Sequence, residues 1–135
     1  MSSFNQDLIA DLRANQGKAT TGPFEGRALA IVTTTGARSG EPRENPLVFS
    51  RSGEDLVVIA SKGGAPTHPA WFHNLVATPR VKVEANGEAF DAEARVAEGE
   101  EHDRLYAAHA ALMPAFNDYQ QRTTRKIPVV VLKRV

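Results

Sequence analysis

At 135 residues, with 41% hydrophobic and 24% charged residues, the chain has the size and composition of one globular domain, and not those of a disordered polymer. Lys plus Arg, 16, equals Asp plus Glu, 16, so the basic excess expected of a phosphate-backbone binder is missing and nucleic acid is not the expected partner. The absence of cysteine excludes disulfides, thiolate nucleophiles and Cys-ligated metals together.

The first sixteen residues mix polar and apolar positions without a continuous apolar core, unlike a signal peptide. No apolar run approaches the ~18–20 residues that span a bilayer. A cytoplasmic location is therefore expected. Phe4, Leu8 and Leu12 recur at helical spacing and predict an amphipathic N-terminal helix within residues 1–20. Ser3 and Gln6 have the spacing of a capping box. Such a stripe is expected to pack on the protein's own core.

From Ala28 the texture changes to strands. Ala28 to Thr35, Asn45 to Ser50 and Leu56 to Ser61 predict three strands, the last two joined by the turn Arg51-Ser52-Gly53-Glu54, and together they read as a meander. Pro69 suits the first turn of a helix running to about Ala77. Pro79 to Ala85 alternates Val81 and Val83 against Lys82 and Glu84, and Asn86-Gly87 is a strong hairpin signal leading to a return strand, Ala89 to Val96. Glu98 to Met113 predicts a helix with an acidic first turn and an apolar side of Leu105, Ala108 and Leu112. Ile127 to Val135 is a final strand, apolar enough at Val129 to Leu132 for the middle of a sheet. The expected fold is mainly β, in the α+β class. It is a small antiparallel split barrel of about six strands with three or four flanking helices, formed by residues 1–135 as a single domain.

Two loops carry most of the chemical signal. Thr33-Thr34-Thr35-Gly36-Ala37-Arg38-Ser39-Gly40-Glu41-Pro42-Arg43 follows a strand and offers hydroxyls, backbone N–H groups and two guanidiniums, as an anion-binding turn requires. A polar hairpin turn with solvated arginines explains the same residues. Ser61-Lys62-Gly63-Gly64 ends another strand, and its adjacent glycines admit either a flat ligand or another backbone. Trp71, Phe72, His73 and Asn74 follow, with aromatic surface beside polar donors. The cations from Arg122 to Arg134 (Arg122, Arg125, Lys126, Lys133, Arg134) read as a solvated positive face. His68, His73, His102 and His109 have no metal-ligand spacing and read as surface or packing residues. No nucleophile-elbow pattern occurs. Missing catalytic groups are what a protein shows when a bound cofactor carries the reaction.

The stretches 33–43, Asn45-Pro46-Leu47, Ser61-Lys62-Gly63-Gly64 and Pro69-Ala70-Trp71-Phe72-His73-Asn74-Leu75 resemble the deazaflavin-dependent nitroreductase family of actinobacteria. The resemblance runs from Leu29 to the Ile127–Val131 stretch. It implies a split β-barrel related to the FMN-binding, pyridoxamine phosphate oxidase-like folds. It also implies coenzyme F-420, an 8-hydroxy-5-deazaflavin with a phospholactyl-polyglutamate tail. Carried over by motif, Ala37, Arg38, Ser39 and Arg43 would hold the phosphate and acidic tail. Glu44, Asn45, Pro46, Leu47 and Val48, with Ile59, Ala60, Ser61 and Lys62, would line the ring and phosphate. Ala70, Trp71, Phe72, His73 and Asn74 would close the groove. The protein's task would be alignment of donor and acceptor at roughly 3–3.5 Å and exclusion of water.

On the acceptor side the resemblance implies a pocket of Met113, Phe116 and Tyr119, with Tyr119 orienting the acceptor. Family members that reduce bicyclic nitroimidazoles or quinones carry tyrosines in this segment, where this chain keeps one phenol. A more apolar, less donating pocket still stacks a quinone but orients and protonates a nitro group poorly. A quinone is therefore the acceptor expected ahead of a nitro compound. An FMN-dependent barrel enzyme and a non-catalytic deazaflavin carrier are the alternatives. A homodimer and peripheral contact with the inner membrane face stay open.

Overall fold

The computed structural model describes residues 3–135, with side chains from residue 5 onward. The anticipated capping box and the Phe4 position of the stripe rest on side chains outside the described residues. Helix α1 spans Ser3–Ala14 and stops well short of residue 20. The Gly17 N–H turns back to the Leu12 carbonyl at 2.7 Å, which closes the last turn. Leu8, Ile9 and Leu12 are buried against Leu29 and Ile31, so the stripe does pack on the protein's own core.

Seven strands follow: β1 (Leu29–Thr35), β2 (Pro42–Val48), β3 (Ser50–Ser52), β4 (Asp55–Ile59), β5 (Arg80–Ala85), β6 (Glu88–Ala97) and β7 (Val129–Arg134). Helices α2 (Ala70–Ala77), α3 (Gly99–Leu112) and α4 (Ala115–Gln121) interrupt them, with short 3₁₀ turns at Gly22–Phe24 and Lys62–Gly64. The sheet is antiparallel throughout, in the order β2-β1-β5-β6-β7-β4-β3. The expected mainly-β, α+β architecture is what forms.

The meander is not. The segment read as one strand, Asn45 to Ser50, is divided between β2, paired with β1, and β3, paired with β4, at opposite edges of the sheet. Phe49 alone separates them in the chain. A flat sheet of this size would hold its edges about 29 Å apart, whereas one intervening residue spans about 7 Å. The sheet therefore has to curl until its edges meet at a corner, which makes it a barrel.

Alternation along the strands fills both faces. Ala30, Val32, Leu56, Val58, Val130 and Leu132 pack with Trp71 and Leu75 of α2. Their neighbours Val57, Ile59, Val129 and Val131 pack with Leu105 and Phe116 of α3 and α4. Burial on both faces is why β7 reads as an unbroken apolar run. The β5–β6 hairpin turns at Asn86 (φ 52) and Gly87 (φ 80), the left-handed pair that a two-residue turn demands.

In α3 the expected apolar side holds only at Leu105. Leu112 is 64% exposed and Ala108 lies outside, while His102, Leu105 and His109 face inward. The imidazoles are tolerated there because they are bonded: His102 Nε2 donates to the Ile127 carbonyl at 2.7 Å, and His109 Nδ1 lies 2.8 Å from Ser50 Oγ. The acids at the start of the helix are structural too, Glu101 making a two-pronged pair with Arg95 at 2.6 and 2.8 Å. Among the described residues no helix is long and apolar enough to cross a membrane.

Burial, reinforced by the charge of Arg27, pushes His109 down to about 4 from the ordinary histidine value. Between pH 6.5 and 4 the unfolded chain then binds a proton that the folded chain refuses, so stability falls as pH falls through that window. The loss attributable to His109 should amount to about 3 kcal/mol by pH 4. Urea unfolding at stepped pH checks this, and His109→Gln should flatten that part of the profile.

Candidate cofactor groove

The barrel corner at residues 48–50, the loop after β4 and helix α4 enclose a cavity of about 320 Å³. Pro46, Leu47 and Val48 of β2 form one wall, and Ile59 at the end of β4 with Trp71 of α2 forms another. Ser61, Lys62 and Gly63 make the polar rim, and Met113, Phe116 and Tyr119 close the far end. Residues expected on the cofactor side and on the acceptor side, with Lys62 and Met113 some fifty positions apart, thus line one groove, apolar inside and cationic at one lip. A groove of this size and polarity suits a planar, anionic ligand.

The end of the groove at Met113, Phe116 and Tyr119 is set by the turn between α3 and α4. Phe116 N–H donates to the Met113 carbonyl at 3.1 Å, and the Phe116 ring meets His109 and Tyr119 edge-on, with centroids 4.6 and 5.1 Å apart. Tyr106 donates its hydroxyl to the Phe116 carbonyl, which fixes α4 against α3. The Arg122 guanidinium stands 5.8 Å from the Tyr119 ring centroid.

Of the two adjacent glycines, only one faces the cavity. Gly63 (φ 64) has open space where a Cβ would be, and it lines the groove. Gly64 (φ 83) is buried against α4, where a Cβ would fall 2.7 Å from the Tyr119 carbonyl oxygen. Here the close approach is to another backbone.

Arg125 holds this loop from beneath. Its guanidinium donates to the carbonyls of Ala65 (2.8 Å), Ala60 (3.2 Å) and Ser61 (2.6 Å), and lies 2.9 Å from His68 Nδ1. Burial and the Arg125 charge both lower the pKa of His68, which favours the neutral ring next to the guanidinium. The sequence reading placed Arg125 on a solvated face; the structure turns it inward as the strut of the 60–68 loop. Nothing local distinguishes it from Arg122 or Lys126, because its partners are carbonyls about sixty residues away.

The first loop is anchored to the same helix that carries Trp71. Asn74, one turn beyond Trp71 and nearly buried, accepts from the Ala37 N–H at 3.0 Å and donates to Thr34 Oγ1 at 3.1 Å. Arg38 and Ser39 are exposed, and Arg43 reaches Ser39 Oγ at 3.4 Å and Glu41 at 3.8 Å. Several other expected positions lie outside the groove lining. Glu44 is paired with Arg13, which also binds Glu84 at 2.7 Å. Asn45 donates its side-chain amide to the Val32 and Arg43 carbonyls. Ala60 is fully buried, Phe72 packs on the core, and Ala70 and His73 are exposed. Gly63 and Pro69, which stood in the motifs read above, line the groove, and so do Phe24 and Leu29, which were not singled out as ligand contacts.

A curled antiparallel barrel whose groove offers apolar walls, a cationic lip and one phenol defines a class of protein that orients a bound redox cofactor against an acceptor. The chain belongs to the F420H(2)-dependent quinone reductase family, whose model matches residues 7–134. It is 38% identical over 109 residues to an F420H(2)-dependent quinone reductase of Mycobacterium tuberculosis, covering 77% of this chain and 72% of that relative. A solved F420-H2 dependent reductase is 37% identical and superposes with a TM-score of 0.73 over 78% of this chain and 93% of the other. A second solved structure, described as a domain-swapped dimer, is 32% identical with a TM-score of 0.75 over 95% and 98% of the two chains. The protein is thus an oxidoreductase with coenzyme F-420 as its cofactor. Neither the FMN alternative nor the passive carrier is supported.

Arg125→Gln should destabilise the protein by about 2–4 kcal/mol, because buried carbonyls lose a charged donor. Hydrogen exchange should localise the damage to residues 61–65. Arg125→Lys should rescue little, since one ammonium cannot reproduce a planar fork.

Proposed function

We propose that the groove holds reduced coenzyme F-420 and that a quinone stacks at the end walled by Met113, Phe116 and Tyr119. The convergence of the Ser61–Gly63 rim and the α4 residues on one cavity supports this reading above all. The residues present suit the cofactor: the walls are apolar, Gly63 leaves space beside them, and Lys62 and Arg38 are exposed cations. When bound, the reduced deazaflavin supplies the hydride.

Each part of the chain then has a task. Pro46, Leu47, Val48, Ile59 and Trp71 exclude water and fix the plane of the ring. Lys62, Arg38 and Arg43, with the Ser39 hydroxyl and the backbone at Ala37, provide countercharge and donors for phosphate and polyglutamate. Lys62 is kept near the rim by its bond to Thr67 Oγ1 at 3.3 Å. Ala60 and Asn74 act indirectly, as the points where Arg125 and the 33–43 loop are tied. Phe116 and Met113 supply a face for stacking, and the Tyr119 hydroxyl orients the acceptor oxygen. One phenol at an apolar wall suits a quinone better than a nitro group, which needs more donors as charge develops on it. Assembly into a homodimer belongs to the same proposal, supported by the relative described as a domain-swapped dimer.

Fluorescence titration should give tight binding of coenzyme F-420 that weakens with salt, and little binding of FMN. Lys62→Ala should weaken the deazaflavin about ten-fold. Equal affinity for both cofactors would overturn the assignment of the cationic lip. In steady-state assays with a quinone, Tyr119→Phe should lower turnover about ten-fold while leaving cofactor affinity unchanged. Unaltered kinetics would remove Tyr119 from the mechanism.

A further inference from the structure

A second cavity, of about 550 Å³, shares only Val48 with the cofactor groove and is otherwise lined by different residues. Its polar lining is one-sided. Arg27, from the segment before β1, and Arg51, from β3, both face it, and no acidic residue lines it. Among the described residues neither arginine has an ion-pair partner. Arg51 instead lies over the Phe49 ring, 5.6 Å from its centroid, an arrangement that leaves the guanidinium edge free to bond.

Two further groups point to a ligand with both polar and apolar parts. His109 lines the cavity, is 1% exposed, and its Nε2 has no hydrogen-bond partner among the described residues. Buried polar atoms are rarely left this way without a missing partner. Asn86 adds an amide from the β5–β6 turn. Leu112, at the end of α3, is 64% exposed at the cavity's edge, and Phe49 forms part of the wall. Two uncompensated cations facing one space repel each other, and an anion between them removes that cost.

We propose that this cavity is a binding site for a small amphiphilic anion, a carboxylate or phosphate carrying a short apolar chain or ring. The guanidiniums of Arg27 and Arg51 take the anionic head, Asn86 supplies a further donor, and Phe49 and Leu112 cover the apolar part. The volume falls within the range of sites for such molecules. The site differs from the cofactor groove in its cations: Lys62 lines the groove, whereas Arg27 and Arg51 line this cavity.

The test is a calorimetric and NMR titration of the whole chain with hexyl phosphate, run beside hexanoate, inorganic phosphate and hexanol. Hexyl phosphate or hexanoate should bind at least about ten-fold tighter than inorganic phosphate and hexanol, moving the amides of Asn86, His109 and Leu112. The better of the two identifies the head group. The double variant Arg27→Gln/Arg51→Gln alters exposed side chains only, and should weaken binding about ten-fold or more. Leu112→Glu, which puts a carboxylate at the rim without touching the core, should do the same. Lys62→Ala, in the other groove, should change nothing. The proposal is overturned if the moved amides cluster around Trp71 and Tyr119, if the arginine variant binds normally, or if inorganic phosphate binds as well as the amphiphiles. None of these results bears on the cofactor assignment, which is read by deazaflavin fluorescence.

Discussion

Val48 closes one edge strand of the sheet, Ser50 opens the other, and a single residue stands between them. Covalent geometry at Phe49 therefore dictates the curvature of everything else, since no flat arrangement of these strands keeps the chain connected. Curling brings the end of β2 beside the end of β4, and the wall residues Leu47, Val48 and Ile59 become neighbours although they belong to strands that do not pair. The groove is a product of that closure. Its apolar lining combines residues of that seam with Trp71 of α2 and Phe116 of α4.

The polar rim depends on a different device. Each glycine-bearing loop is fastened by a distant side chain that bonds to its backbone. Arg125 grips the carbonyls around Ser61, and Asn74 joins the Ala37 N–H to Thr34. Backbone acceptors and donors are present whatever the loop sequence, so the loops can carry Lys62 or Arg38 outward without spending those charges on structure. Gly64 completes the arrangement by letting α4 approach closely enough for Tyr119 to reach the same cavity.

Where periodicity or a turn dipeptide carried information, the sequence was readable. The alternation at Val81 and Val83, the Asn86-Gly87 turn and the apolar run from Val129 all became the structures they suggested. The segment from Asn45 to Ser50 misled, because a run of extended residues does not reveal that it changes partners at Phe49. In α3 the inward stripe includes two imidazoles beside Leu105, and hydrophobicity alone gives His102 and His109 no inward preference until their bonds to Ile127 and Ser50 are known. The candidate site was legible only as separate motifs. Their union at one cavity, the inward turn of Arg125 and the lining by Phe24 and Leu29 are tertiary facts, set by residues far apart in the chain. Within the expected set, Glu44 and Asn45 show the limit of carrying a motif over whole: their side chains serve Arg13 and backbone carbonyls, while their neighbours in β2 face the groove.

The position of β7 has a further consequence. It follows the other six strands in the sequence, yet it lies between β6 and β4, joining one part of the sheet to the other. Arg125, just ahead of it, is the strut of a loop made sixty residues earlier. Until β7 is available, a nascent chain thus carries two partial sheets with bare edges at β4 and β6. Such edges invite pairing with the wrong strand, including the same strand of a neighbouring chain. Assembly of this fold is a race between the arrival of β7 and intermolecular β-pairing, and expression at low temperature or with a holdase chaperone acts on that race without altering the finished protein.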